Sequence, residues 1–466
     1  MKIKQLLRIS FFAIVLIFIT NTMLNAQNSD NIDLLFQDKI DTLPINYRNS
    51  YYSECWGLTL FDEDYAVISS TLGTHIYQIT DAVNSQEVAF IPSPVNGYNA
   101  NWRDFHDYNG FLYIVNDGPS GVLQIVDLRR LPNEVTVVYE SDEFFANAHN
   151  IFIDTTTAKL YVCGGKTADN QAIDLAIYDI SNPPKPSFLN SYTNYGYIHD
   201  CFVRNDTAYL ESPNNQTLYI VNFKDTESPQ TLGSLSNYPS AGYTHAGWLS
   251  SNGQYYVLSD ENYSSTIKLL DVSQPDDIKV ITQFSSGVSD SSMVHNPIIL
   301  GNFVFVSYYN DGLQVFDISD PQNVTKVGFY DTYLNEQKGD YRGAWGVYPF
   351  KDGKVVVSDR QTGLYVFDAA NLMNEMVSTN TFDQPIVTVY PNPVNKKLLI
   401  SNENAMFDSC EIFSIDGQLL MHQTINENLK TITINTTSLN AGLHYLILQK
   451  NNQIIFSKKI LKKKYY

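Results

Sequence analysis

Four short stretches of this 466-residue chain carry the residue type best suited to chemistry at neutral pH. They are Asn147-Ala148-His149-Asn150, Tyr197-Ile198-His199-Asp200, Tyr243-Thr244-His245-Ala246 and Met293-Val294-His295-Asn296, so half of the eight histidines recur at intervals of about 48 residues. An imidazole can ligate a metal, move a proton or hydrogen-bond a ligand. Carboxylates that could orient or assist it stand nearby in Asp200, in Trp102-Arg103-Asp104 and in the pair Asp260-Glu261. Three readings stay open for the histidines: each pins a loop of its own repeat, they share a divalent metal, or they bond an organic ligand. No Gly-x-Ser-x-Gly elbow, phosphate loop, His-Glu-x-x-His or paired-cysteine metal motif occurs, so no reaction is assigned.

The elements that must position these residues follow from a second pattern. Leu123-Gln-Ile-Val-Asp127, Leu175-Ala-Ile-Tyr-Asp179, Leu218-Tyr-Ile-Val-Asn222, Ile267-Lys-Leu-Leu-Asp271, Leu313-Gln-Val-Phe-Asp317 and Leu364-Tyr-Val-Phe-Asp368 are six copies, and Ile76-Tyr-Gln-Ile-Thr80 is a degraded seventh. In the sixth unit, apolar runs at 296–299, 303–307, 313–318 and 324–330 are separated by Gly301-Asn302, Asn310-Asp311-Gly312 and Asp320-Pro321. Four strands per unit and seven units predict an all-β fold, a seven-bladed β-propeller over about residues 30–370. The unit after Asp368 lacks a patterned fourth strand. Asn31-Ile-Asp-Leu-Leu-Phe-Gln37 has the missing alternation and is expected to close the ring as the outer strand of the last blade.

In this frame each histidine falls at the start of an innermost strand, and Trp56, Trp102 and Trp345 hold the same phase in the other blades. Loops between second and third strands open at the same mouth, bringing Asn116-Asp117, Glu211, Asp260-Glu261, Asn310-Asp311 and Asp359-Arg360. The candidate ligand-binding residues are therefore His149, His199, His245, His295, Trp102, Arg103, Asp104, Asp200, Asp260, Glu261 and Trp345. Any metal would fall to His149, His199, His245 and His295, with Asp260 or Glu261 as base if the site is a hydrolase or lyase. A purely structural surface component is the further alternative.

Composition bounds the partners. Thirty Lys and Arg against forty-nine Asp and Glu give a net charge of −19, which argues against nucleic acid. Residues 1–26 read as a secretory signal, with Lys2, Lys4 and Arg8 ahead of an apolar run too short for a membrane anchor, and no later segment could span a bilayer. Four cysteines lack metal spacing; Cys163 and Cys201 fall in neighbouring units, and their pairing is left open. Residues 371–384 read as a linker, and 385–464 as a small β-sandwich with strands near 398–401, 411–414, 431–434 and 445–449 and turns at Asp416-Gly417 and Ala441-Gly442.

The Asp-ended strands resemble the LVIVD repeat. The ordered set Asn31-Ile-Asp-Leu-Leu, Trp102-Arg-Asp, Ala148-His-Asn, His199-Asp, Tyr243-Thr-His-Ala-Gly-Trp248, Asp260-Glu261, His295-Asn296, Phe329-Tyr-Asp-Thr-Tyr333 and Gly343-Ala-Trp345 is similar to the choice-of-anchor B family of secreted bacterial propellers. That resemblance implies fold and surface location but no substrate. Tyr390-Pro-Asn-Pro393, Ile415-Asp-Gly-Gln418, Leu439-Asn-Ala-Gly-Leu-His-Tyr445 and the basic close from Lys458 to Lys464 resemble the type A C-terminal sorting domain of the type IX secretion system. It implies passage through the periplasm to the cell surface or medium, with the secretion machinery as partner.

Overall fold

Alternating apolar and polar residues between Gly- and Asn-rich turns produce the same unit seven times among the described residues. The computed structural model describes residues 29–463 except 101, 120, 335–338, 374–386, 403–406, 415–418, 426–430 and 451–452. The signal segment, most of the linker and the Asp416-Gly417 turn lie outside the described residues. The chain divides into two compact units, Met1–Met373 and Asn374–Tyr466.

In the first unit, the sixth blade shows how sequence becomes sheet: Pro297–Leu300, Phe303–Ser307, Leu313–Asp317 and Thr325–Tyr330 pair antiparallel in chain order. Its second and third strands are buried along both faces, as a sheet sandwiched between neighbouring blades must be. The innermost strands of blades 1 to 7 are Tyr52–Leu60, Arg103–Tyr108, Asn147–Asp154, Asp200–Arg204, Thr244–Leu249, Pro297–Leu300 and Ala344–Pro349.

The Asp that ends each repeat is a turn device. In six blades its side chain, or that of Asn222, accepts the backbone N–H two residues on, at 2.7–3.1 Å. Such Asx turns reverse the chain between third and outer strands without using a glycine. Every outer strand also carries a register shift against its third strand. A bulge there twists the exposed edge and makes it a poor template for further pairing.

Asp33–Asp38 pairs antiparallel with Gly363–Asp368, placing Leu34 opposite Phe367 and Phe36 opposite Val366. The N-terminal segment thus supplies the fourth strand of blade 7. Just upstream, Ser29–Asp30 adds a fifth strand to blade 6, opposite Tyr330 and Phe329, which the alternation of residues 31–37 does not foretell. The seam between blades 7 and 1 is filled by Tyr52, Cys55, Ala66, Phe350, Val356 and Leu364. A closed ring results, in which neighbouring blades cover one another's apolar faces.

The second unit is a two-sheet sandwich. Three strands (Val387–Tyr390, Lys397–Asn402, Thr431–Asn435) face four (Leu419–Thr424, Ser409–Ser414, Gly442–Lys450, Gln453–Lys462). Leu398, Ile400, Ile412, Ile434, Leu446, Leu448 and Ile460 fill the space between them. Three of these strands, 387–390, 419–424 and 453–462, are additional to the four legible as alternating runs. Among the described residues no helix is long and apolar enough to cross a membrane.

Candidate functional site

The lumen of the propeller is layered by the period of two that governs every strand. At six of the seven inner strands a pair of residues two apart faces the channel: Glu54 and Trp56, Asp104 and His106, Asn150 and Phe152, Asp200 and Phe202, Ala246 and Trp248, Asn296 and Ile298. The upper members, Ala246 apart, form a polar layer. The lower members form an aromatic plug, with Trp56 against His106 at 4.6 Å between ring centres, His106 against Phe152 at 4.8 Å and Phe202 against Trp248 at 5.0 Å.

The histidines stand one residue above the polar layer, where strict alternation would turn them away from the channel. Local irregularity turns them back. The inner strands of blades 5 and 7 slip register at His245 and Trp345, and His199 and His295 precede the regular part of their strands. A bulge re-aims a side chain in this way. The result is a collar: ring centres are 4.1 Å apart for His149 and His199, 4.2 Å for His199 and His245, 4.5 Å for His245 and His295, and 4.3 Å for His295 and Trp345. Trp102 packs against Trp345 at 4.9 Å between ring centres, the planes tilted by 49°.

Blade 1 offers only Ser53 at this level. Trp56 therefore does not share the phase of the other tryptophans; it is three residues further on and belongs to the plug. In blade 2 the side chain of Arg103 leaves the collar to bond the carbonyls of Ser70 and Val95, and Trp102 reaches across the gap to blade 7.

None of these histidines is held inside its own blade. His199 Nδ1–H donates to the carbonyl of His245 at 3.2 Å, and His295 Nδ1–H to that of Trp345 at 2.6 Å. His149 Nδ1 meets Asp117 Oδ2, from blade 2, at 3.0 Å. Because a carbonyl only accepts, the first two imidazoles must carry their proton on Nδ1, which leaves Nε2 as a bare acceptor. Burial holds His199, His245 and His295 well below the ordinary histidine range. Burial also opposes charge on His149, but Asp117, helped by Asp200 and Asp104, outweighs it and raises that group. The collar thus favours charge on at most one of its four imidazoles, at spacings where like charges would repel by about 4 kcal/mol per pair.

Above the collar lies a cup of about 400 Å³ lined by Arg48, Trp102, Asp117, Tyr197, Tyr243, Glu261 and Tyr341 together with the four histidines and Trp345. Arg360 stacks on Trp345 and Trp102, at 4.8 and 5.1 Å from the ring centres, and Arg48 covers Trp102 at 5.4 Å. Burial of Glu261, moderated by the Tyr309 hydroxyl, pushes its carboxyl up to about 7. Glu261 Oε2 lies 3.8 Å from His245 Nε2.

Beneath the collar, burial raises Asp104 to about 7 and burial together with Asp104 raises Asp200 to about 8. Glu54 is pushed well above the carboxylate range by the same two causes. Asn296 Nδ2 donates to Glu54 Oε2 at 2.9 Å.

The structure brings His149, His199, His245, His295, Trp102, Trp345 and Glu261 to the cup and sets Asp104 and Asp200 in the layer below. It does not bring Asp260 there. That carboxylate is fully buried against Lys268 Nζ at 2.6 Å and accepts from Tyr238 and the backbone of Gly242, pinning the loop that carries Tyr243. Glu211 is likewise turned away, bonded by the Tyr256 hydroxyl between blades, and Asp311 is bonded by Ser286. Both are loop fastenings rather than members of the mouth. Cys163 and Cys201 are buried free thiols with sulfurs 3.5 Å apart. The cup also takes Tyr197, Tyr243, Arg48 and Tyr341, which the repeat phase does not single out. The first two stand two residues before a collar histidine, and that Tyr-x-His spacing is a usable signal.

Comparison with known proteins agrees with this architecture. A model of the LVIVD repeat matches residues 168–194 and 294–332, and a model of the secretion system C-terminal sorting domain matches 388–463. The chain carries LVIVD repeats and a type IX sorting domain. This LVIVD-repeat propeller is thereby marked for export to the cell surface or beyond, and its sorting domain for contact with the secretion machinery. Among solved structures it is similar to the WD40 repeats of RRP9 and to U3-55K. Each has 8% identity and a TM-score of 0.51; the match covers 73% of this chain and 97% and 98% of theirs. At that identity the likeness shows the propeller fold alone. No curated protein matches the chain.

Proposed function

We propose that this exported propeller binds an extracellular ligand in the cup above the histidine collar. The observation that carries the reading is the fixed tautomer of His199 and His295, whose Nδ1 protons are committed to backbone carbonyls of the next blade. Their bare Nε2 atoms are acceptors in search of a donor or a cation, beside aromatic walls and the polar side chains of Arg48, Asp117 and Glu261. A ligand bearing hydroxyl or amino donors on a flat body suits such a cup.

The test is a thermal-shift and calorimetric screen of the full chain against sugars, amines and amino acids, repeated on His199→Asn and Tyr243→Ala. A hit should weaken at least about tenfold in both variants, the loss of about 1.4 kcal/mol expected for a buried polar or stacking contact. A hit with unchanged affinity in both would place binding elsewhere and overturn the reading.

A second reading is favoured by one further observation. A nitrogen from each of His245 and His295 and an oxygen of Glu261 lie within 4.8 Å of one another, the only such group among the described residues.

A further inference from the structure

We infer that His245, His295 and Glu261 form a site for a divalent cation of the zinc class, with an open coordination position facing the cup. The inference deepens the cup reading and rests on it only for the role of that open position.

Donor geometry is the first support. Ligands at about 2.1 Å from a tetrahedral ion lie about 3.4 Å from one another. His245 Nε2 and Glu261 Oε2, at 3.8 Å, are too far apart for a hydrogen bond and close to that spacing. His295 contributes the third donor atom inside the same 4.8 Å group.

The surroundings of the donors are the second support. His295 is oriented by its Nδ1–H bond to Trp345, and Glu261 by the Tyr309 hydroxyl on Oε1, which leaves Oε2 directed at His245. Imidazole and carboxylate ligands held by partners of this kind are what a metal site requires around its donors.

The third support is His245 itself. Its side chain is 2% exposed, its Nδ1 turns toward the His295 backbone in a bond of poor geometry, and its Nε2 meets only the distant Glu261. A polar ring so deeply buried normally satisfies both nitrogens. A cation between Nε2 and Glu261 satisfies one side and polarises the ring toward the other. Two nitrogens and one oxygen favour zinc and its transition-metal neighbours over calcium or magnesium, which take oxygen sets. The fourth position opens toward Tyr243 and the remaining cup wall, where water or a ligand donor would complete it.

The experiment uses the full chain, purified without a polyhistidine tag and stripped with a chelator, then titrated with zinc chloride and analysed for metal after gel filtration. Wild type should retain about one equivalent, and Glu261→Gln and His295→Gln should each bind more weakly by over a hundredfold, beyond the roughly 10–100-fold effect of a residue that only supports a ligand. Glu261→Gln keeps an acceptor for Tyr309, and an unchanged near-ultraviolet circular dichroism spectrum confirms its fold. Cobalt should give a visible absorption band in wild type that both variants lose. Less than about a tenth of an equivalent in wild type would overturn the inference. So would one equivalent unaffected by both substitutions, or one lost instead in His422→Gln, since exposed His422 pairs with Glu411 at 3.1 Å in the second unit. If the metal site falls on these grounds, an organic ligand that binds chelated protein and still depends on Tyr243 leaves the cup reading standing.

Discussion

The collar and the layer beneath it are built from consecutive residues of the same inner strands, yet burial moves their charges in opposite directions. His199, His245 and His295 are driven toward neutrality by losing affinity for a proton, whereas Glu54, Asp104 and Asp200 are driven toward it by gaining affinity. A desolvated lumen disfavours any charge, whichever sign the residue type supplies. The collar alone escapes in part, because His149 borrows Asp117 from the neighbouring blade. The difference between the layers is thus one of available partners. Above, backbone carbonyls of adjacent blades fix the imidazoles and leave bare nitrogens toward the cup. Below, the carboxyls accept backbone N–H groups of Cys55, Ile151 and Cys201 and crowd one another across the channel.

The strongest way to break this arrangement is to remove the pin that sets the rim above both layers. Lys268 and Asp260 are each fully buried, and Asp260 also holds Tyr238 and Gly242. Lys268→Met leaves a carboxylate buried without its cation, a change that costs about 3–5 kcal/mol. Denaturant unfolding should register that loss, and cup binding should fall with it because Tyr243 and His245 flank the released loop. A midpoint unchanged from wild type would show that the pin is not needed.

The contrast between seven legible repeats and a half-legible site has a physical origin. Strand alternation and the Asp-ended turns are local patterns, so the propeller and its closing strand could be read from Leu-x-Val-x-Asp runs and from residues 31–37. The equal spacing of the histidines likewise put them in one ring. Spacing could not show the bulges at His245 and Trp345, because a register slip depends on the partner strand. For the same reason Trp56 read as a collar residue although it lies in the plug. Asp260 and Glu261 are adjacent in sequence, and alternation sends the first into the blade core and the second into the cup. Arg48 precedes the first blade and covers Trp102 of the second, a contact between units that no local pattern encodes.

The layer beneath the collar can be tested by erasing one of its carboxyls. Asp200 is raised from an ordinary 3.8 to about 8 by burial and by Asp104. Between those values the unfolded chain has released the proton and the folded chain still holds it. Stability from this group is therefore complete below about pH 4, falls as the pH rises toward 8 and is flat beyond. Asp200→Asn keeps an acceptor for the Cys201 N–H and removes the dependence. Its unfolding free energy should match wild type near pH 4 and exceed it at pH 8 by at most about 5 kcal/mol. Equal melting curves at both pH values would mean that Asp200 is solvated and that the layer is not the desolvated counterpart of the collar.

The collar predicts the opposite slope with a smaller amplitude. His199 is pushed well below 6.5 by burial, then by His149 and His245. Below pH 6.5 the unfolded chain takes up a proton that the folded chain refuses, so stability is complete above 6.5 and is lost as the solution becomes more acidic. His199→Asn abolishes that uptake and also removes the bond to the His245 carbonyl, which contributes about 1 kcal/mol at any pH. The variant should therefore melt slightly below wild type at pH 7.5, and the gap should close or reverse by about 1–2 kcal/mol at pH 5. A gap that widens on acidification would mean that His199 is protonated in the fold. Its Nε2 would then be a donor rather than an acceptor, and the collar would present the cup with positive charge instead of lone pairs.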